Sequence, residues 1–135
     1  HCYRNPLDNV LSIYRANFMS GYSYSSSLID TSKVLLNSHK IIKNYKKLFP
    51  KYIYSVNYDL LVVNPELEIP KLIKWLNFEW DEKYLAPHLN RRSVRTTSKI
   101  QVRYPINNNS LLGWKNYDDL LHPVIDFFKE HNFNF

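Results

Sequence analysis

Arg4 and Ser12 stand eight residues apart on either side of a helix-start signature, an arrangement suited to holding a phosphate. The run is Tyr3-Arg4-Asn5-Pro6-Leu7-Asp8-Asn9-Val10-Leu11-Ser12. Asn5 is a residue type that caps free backbone N–H groups, Pro6 suits the first helical position, and Asp8 suits the first turn. Arg4 therefore lies beside unpaired backbone donors and the positive end of a helix dipole, where an anion is favoured. Its planar guanidinium can contact a phosphate with two prongs. Ser12 adds a hydroxyl donor further along the helix, and Arg15 adds charge near it. Chemistry alone leaves a second reading equally open, in which Arg4 pairs with Asp8 on the surface and Ser12 is filler.

Other chemistries have less support. The only glycines are Gly21 and Gly113, so a P-loop of the G-x-x-x-x-G-K type is excluded within these residues. His1, His39, His88, His122 and His131 lack a metal-binding spacing such as H-E-x-x-H, and no metal is expected. Asp118-Asp119 and Glu66 with Glu68 read as helix-start charges rather than an acid/base pair. Lys46-Lys47 reads as a solvated helix end. The lone cysteine, Cys2, excludes an internal disulfide and a Cys-based zinc site. It is expected to be a small buried hydrophobe, which suits a reducing compartment.

The net charge of +6 favours anionic partners, whether nucleic acid, membrane surface or a phosphorylated ligand. No apolar run approaches the roughly 20 residues needed to span a bilayer. A hydrophobic share of 44% over 135 residues suits one globular domain rather than a disordered chain. The start, His1-Cys2-Tyr3-Arg4, carries neither an initiator Met nor a signal peptide, as though a strand ran straight into Tyr3.

The elements that must position these residues follow from periodicity. A first helix is expected from Asn5-Pro6 to about Phe18, with Leu7, Leu11, Tyr14 and Phe18 as its core stripe and Asp8, Ser12 and Arg15 on another. A second helix fits from about Asp30 to Phe49, with Val34, Leu35, Ile41, Ile42, Tyr45 and Leu48 as its apolar set and Pro50 as its stop. Tyr52 to Val56 reads as a strand. Asn64-Pro65 opens a third helix to about Leu76, disturbed by Pro70. Trp75, Phe78 and Trp80 read as a core cluster. Residues 86–115 look irregular and carry Arg91, Arg92, Arg95, Lys99, Arg103 and Lys115, which suggests a clamp over an anion. A last helix fits Asp118 to Glu130, with Leu121, Val124, Ile125 and Phe128 inward.

Three collinear stretches carry a family resemblance. Arg4-x-Pro6-x-Asp8-x-x-x-Ser12 resembles the 3′-phosphate-binding motif of sulfotransferases that use 3′-phosphoadenosine 5′-phosphosulfate (PAPS). Val56-Asn57-Tyr58-Asp59-Leu60-Leu61-Val62-Val63-Asn64-Pro65-Glu66 resembles the family's strand–Tyr-Glu-Asp-Leu-x-x-Asn-Pro-Glu segment. Ser98-Lys99-Ile100-Gln101-Val102-Arg103-Tyr104-Pro105-Ile106-Asn107, with Leu112-Gly113-Trp114 beyond, resembles the Ser-x-x-Gln-Val-x-x-Pro-Val-Asn…Trp segment of the tyrosylprotein sulfotransferase branch. Bacterial sulfotransferases fused to tetratricopeptide repeats are similar. The resemblance implies that Arg4 and Ser12 bind the 3′-phosphate and that Tyr58 and Ser98 line the adenosine 3′-phosphate pocket.

The departures define the rest of the expectation. The family's Gly/Ser/Thr-rich 5′-phosphosulfate loop, its usual catalytic base and the basic residue that stabilises the transferring group are absent. Leu60 replaces an acid, and Gly113 stands where the tyrosylprotein branch has Lys. Lys99 and Lys115 are the candidates for that charge. The expected fold is α/β, the helix-rich C-terminal part of a P-loop-type sulfotransferase fold with a central parallel sheet, lacking the N-terminal 5′-phosphosulfate loop. Residues 1–135 would then be a partial domain, inactive alone and expected to bind adenosine 3′,5′-bisphosphate weakly or not at all by itself; in the intact protein the nucleotide is PAPS or adenosine 3′,5′-bisphosphate, held without a metal. The acceptor could be protein tyrosine, glycan or small molecule, and the location cytoplasmic, or the Golgi lumen in a eukaryote. Two other classes stay open: a basic nucleic-acid-binding module, and a part of a nucleotide kinase-like P-loop enzyme.

Overall fold

The structure is a computed structural model, and it describes residues 1–16, 18, 21–93 and 101–133. Ser98 and Lys99, and Arg95 of the basic stretch, lie outside the described residues. The chain divides into two compact units.

The first unit comprises His1, the described residues between Tyr3 and Ile53, and those from Ser110 onward. Its helix α1 spans Pro6–Arg15. The Asn5 side chain accepts from the backbone N–H of Leu7 at 3.0 Å and of Asp8 at 3.2 Å, so the cap forms as the residue types dictate. The helix ends at Arg15, short of Phe18, which is exposed. Leu7, Val10 and Leu11 form the buried face, while Tyr14 is exposed. Val10 replaces Tyr14 because Val10 shares the turn of Leu7 and Leu11 that meets the last helix.

That last helix, here α5, spans Asp118–Glu130, the bounds expected. Leu121, Val124 and Phe128 are fully buried and join Leu7, Val10 and Leu11 in one core, with Trp114, Ile125, Phe127 and Phe133 packed around it. Burial of each large apolar side chain contributes roughly 1.5–3 kcal/mol, so this cluster is the main cohesive term of the unit. α5 ends in a Schellman turn: Asn132 takes φ 51°, its N–H donates to Lys129 O at 3.0 Å, and Phe133 N–H donates to Phe128 O at 2.9 Å. The rings of Phe128 and Phe133 then meet at 4.9 Å, the apolar contact that usually accompanies such a turn.

Helix α2 spans Leu28–Leu48 and is capped by Ser27, whose hydroxyl accepts from Asp30 N–H at 3.2 Å. Its buried residues are Thr31, Ser32 and Leu36. Val34, Ile41, Tyr45 and Leu48 of the expected apolar set are exposed. The polar pair can be buried because both hydroxyls find carbonyls nearby: Thr31 Oγ1 donates to Tyr24 O at 3.0 Å and Ser32 Oγ to Leu28 O at 2.7 Å.

The second unit comprises Cys2 and Tyr54–Asn109 as far as these residues are described. Strand β1 (Cys2–Tyr3) and strand β2 (Val56–Asn57) form a two-stranded parallel sheet. Cys2 is exposed rather than buried, because its strand is only two residues long and both of them are exposed. The expected strand shrinks to Val56–Asn57 and gives way to a short helix, α3, over Tyr58–Val63. Asn57 causes this turn of events: its side chain accepts from Asp59 N–H at 2.9 Å and Leu60 N–H at 3.2 Å.

Helix α4 spans Pro65–Trp75 and tolerates Pro70 inside it. It too ends in a Schellman turn at Asn77, with φ 57°. Ile69 and Ile73 are its buried apolar residues, and Val62 of α3 is buried too. Trp75, Phe78 and Trp80 are exposed, not core; Trp75 lies 5.5 Å from Tyr54 and Trp80 lies 5.9 Å from Tyr84, ring to ring. The architecture is helix-rich with a small parallel sheet, compatible with an α/β class.

Candidate functional site

Arg4 follows β1 and precedes the capped start of α1, so the chain delivers it to the strand–helix corner. Its Nη2 donates to the carbonyl of Ser110 at 2.8 Å and lies 3.5 Å from Asp8 Oδ2. The Arg4 side chain is 18% exposed and that of Asp8 only 3%. Asp8 is therefore not a surface partner. It sits buried in the first turn of α1 and collects donors from a segment more than a hundred residues away.

Those donors are two backbone amides. Leu112 N–H reaches Asp8 Oδ2 at 2.8 Å, and Trp114 N–H reaches Asp8 Oδ1 at 2.9 Å. Both can point at one carboxylate because Leu112 adopts the left-handed conformation, φ 54° and ψ 20°. That conformation costs a non-glycine residue about 1–2 kcal/mol, which two charge-assisted hydrogen bonds can offset. Gly113 sits against the same carboxylate: a Cβ there would lie 3.7 Å from Asp8 Oδ1, an ordinary contact.

Beyond this knot the 3-10 turn Gly113–Tyr117 leads into α5 and carries exposed Lys115. The Arg15 guanidinium lies 5.7 Å from the Tyr117 ring centroid, which ties the end of α1 to the end of that turn. Asp8, Ser12 and Arg15 recur at i, i+4 and i+7 and so share one helix face. Ser12 and Arg15 on it are exposed. The unit thus collects Arg4, Ser12, Arg15 and Lys115 of the expected site residues around α1 and the turn that precedes α5. Of these cations, Arg4 pairs with the buried Asp8 carboxylate. The indole Nε1 of Trp114 is buried and has no hydrogen-bond partner among the described residues.

Tyr58 belongs to the other unit, where it opens α3 half-buried. Arg103, one of the cations of the expected clamp, is engaged internally: Nη1 donates to Asn90 O, and Nη2 to Arg92 O at 2.8 Å. Among the described residues no group of His, Cys, Asp and Glu could hold a metal ion. No helix of the described residues is long and apolar enough to cross a membrane.

Sequence reasoning nominated Arg4 and Ser12 and left Asp8 with two readings, a helix-dipole residue or a surface ion-pair partner. The residue pattern could not reveal its buried hub role, since both amide donors belong to backbone groups far along the chain. The only local signal was an Asp placed three residues after the cap.

Comparison with known proteins adds the family. A family model described as "Sulfotransferase family" matches residues 1–82, which include β1, α1, α2, β2, α3 and α4. Over 133 residues the chain is 33% identical to an uncharacterized protein of Aquifex aeolicus (strain VF5), covering 96% of this chain and 18% of that protein. Over 121 residues it is 28% identical to a protein named 2-oxoacid:ferredoxin oxidoreductase subunit alpha from a Sulfolobus species, covering 86% of this chain and 19% of that protein. The chain spans only a small part of the length of these curated relatives.

Proposed function

Because the chain belongs to the sulfotransferase family, we propose that it supplies the 3′-phosphate and adenosine half of a PAPS-binding site. In this reading the whole protein transfers a sulfuryl group from PAPS to an acceptor hydroxyl or amine. The observation that carries it is the placement of Arg4. Its guanidinium is fixed at the mouth of a capped helix, in one unit with Ser12, Arg15 and Lys115. Guanidinium, ammonium and hydroxyl groups together suit a phosphate dianion, and an exposed Ser12 leaves its hydroxyl accessible.

The roles divide by chemistry. Arg4 contacts the 3′-phosphate with a planar fork, Ser12 donates a hydroxyl hydrogen bond, and Arg15 and Lys115 lower the electrostatic cost of bringing in the dianion. Tyr58 and Ser98 line the adenosine side, and Lys99 adds charge beside Ser98. Tight grip on the remote 3′-phosphate orients the reacting end of the donor, and it disfavours nucleotides that lack this phosphate. The Ser98 to Asn107 stretch supports a place near the tyrosylprotein branch and its tetratricopeptide-fused relatives. In this reading residues 1–135 alone do not turn over, because the groups that act on the transferring sulfuryl lie elsewhere.

The test is calorimetric titration of the intact protein that contains these residues with adenosine 3′,5′-bisphosphate and with adenosine 5′-monophosphate. The bisphosphate should bind more tightly, and Arg4→Ala should weaken it by roughly 10- to 100-fold, as for loss of a charged hydrogen bond. Equal affinity for the two nucleotides, or an Arg4→Ala protein that binds the bisphosphate like wild type, would refute the reading.

A further inference from the structure

We infer that Asp8 is the positioning residue of this site, setting both the direction of Arg4 and the shape of the Ser110–Trp114 turn. The inference rests on the donor-site reading above and names a residue that reading does not use. An arginine offers a planar fork, and a fork recognises phosphate well only when its plane is fixed in advance. Fixation of Arg4 comes in part from the Ser110 carbonyl, to which Nη2 donates at 2.8 Å, and from the ion pair of the same nitrogen with Asp8 Oδ2 at 3.5 Å.

The hydrogen bond and the ion pair are not independent. Asp8 holds the turn that carries Ser110, through Leu112 N–H at 2.8 Å and Trp114 N–H at 2.9 Å. The same carboxylate oxygen, Oδ2, faces both Leu112 and Arg4. Both oxygens have donors, so the carboxylate plane is set, and the side chain is buried where water competes little. The left-handed Leu112 shows that the turn is held in a shape it would not choose unaided. Lys115 follows Trp114 directly, so its placement depends on the same clamp.

Asp8 thus acts through Arg4 and the turn and does not itself contact a ligand; its negative charge would repel the phosphate if it did. Its removal should act on selectivity for the 3′-phosphate rather than on nucleotide binding in general. Asp8→Asn is the informative variant. It keeps the shape and one carbonyl oxygen, but its amide nitrogen cannot accept from the second N–H, and the charge that orients Arg4 is gone.

The experiment measures binding of adenosine 3′,5′-bisphosphate and adenosine 5′-monophosphate to the intact protein that contains these residues, wild type and Asp8→Asn. Asp8→Asn should reduce the preference for the bisphosphate by about tenfold or more, with monophosphate affinity little changed. A purely structural role would lower both affinities together and leave their ratio in place. A wild type that discriminates, with an Asp8→Asn variant that discriminates equally, overturns this inference alone. A wild type without any preference overturns the donor-site reading and this inference with it. Should Asp8→Asn not fold, amide hydrogen exchange on the wild type decides. Protection of Leu112 and Trp114 should rise with the bisphosphate and not with the monophosphate, and unchanged protection overturns the inference.

Discussion

Replacing Asp8 by Ala should cost the fold about 3 kcal/mol, and the figure can be assembled from the contacts it loses. Its oxygens accept from Leu112 and Trp114 N–H at 2.8 and 2.9 Å, and the side chain is 3% exposed. Each buried donor left without an acceptor costs about 1–3 kcal/mol. These two amides are part-buried, so water can reach them and the lower half of that range applies. The Arg4 pair, at 3.5 Å and with Arg4 18% exposed, adds at most about 1 kcal/mol. Relief of carboxylate burial offsets part of this sum. Equilibrium urea denaturation of the full chain measures the difference, and a thermal midpoint lower by about 10 °C should accompany it at this chain length. Asp8→Asn, which keeps one acceptor, should lose about half as much. A double-mutant cycle with Arg4→Met should return a coupling of about 1 kcal/mol. An Asp8→Ala protein less than about 1 kcal/mol below wild type, with unchanged exchange at Leu112 and Trp114, would refute the hub account.

Three further outcomes follow from the same physics. Phe128→Ala should destabilise by about 3–5 kcal/mol in urea titration, since Phe128 of α5 is fully buried in the core shared with α1 and also seats the Phe133 ring; a loss below about 1 kcal/mol would place the core elsewhere. Asn5→Ala should cost about 1 kcal/mol by thermal melting, from loss of the cap over Leu7 and Asp8 N–H, while Asn5→Gly should cost only a few tenths of that. The Lys33 ammonium, hydrogen-bonded at 2.9 Å, and the Ser27 hydroxyl hold the Asp30 carboxyl below the usual carboxylate range. A depressed folded-state pKa adds stability that is complete above the unfolded value and fades as pH falls through the folded one. The stability difference between wild type and Asp30→Asn should therefore be present near neutral pH and vanish on acidification below the ordinary Asp range of about 4, as followed by circular dichroism.

The parts of the fold legible in the sequence were those decided by local chemistry. Asn5-Pro6 marked the start of α1, and the Leu121, Val124 and Phe128 spacing marked the buried face and full extent of α5. Where tertiary packing chose between faces, pattern misled. In α2 the apolar stripe through Val34, Ile41, Tyr45 and Leu48 looks outward, and the packed face includes Thr31 and Ser32. A hydroxyl that bonds a nearby backbone carbonyl behaves as a small core residue, which a count of apolar positions cannot register. The Asn57 cap likewise ended a run of β-forming residues after two positions of strand, and Asn77 and Asn132 stopped their helices where glycine would be the usual sign. Of the candidate site, Arg4, Ser12 and Arg15 could be nominated from the sequence because they lie close together, just before α1 and along it. The clamp of Asp8 on the 112–114 turn was not, because its bonds cross separations of 104 and 106 residues and end on backbone amides.

Arg103 carries a lesson about ionic strength. Its guanidinium staples the carbonyls of Asn90 and Arg92, which are neutral dipoles. Added salt screens attraction between opposite charges over about a Debye length, yet it has little to screen in a short bond between a cation and a peptide oxygen. The loop segments joined through Arg103 should hold their shape in a brine that abolishes long-range steering of anions toward this chain. One of the positive charges in the formal sum therefore also works as masonry, joining two loop segments while keeping its charge.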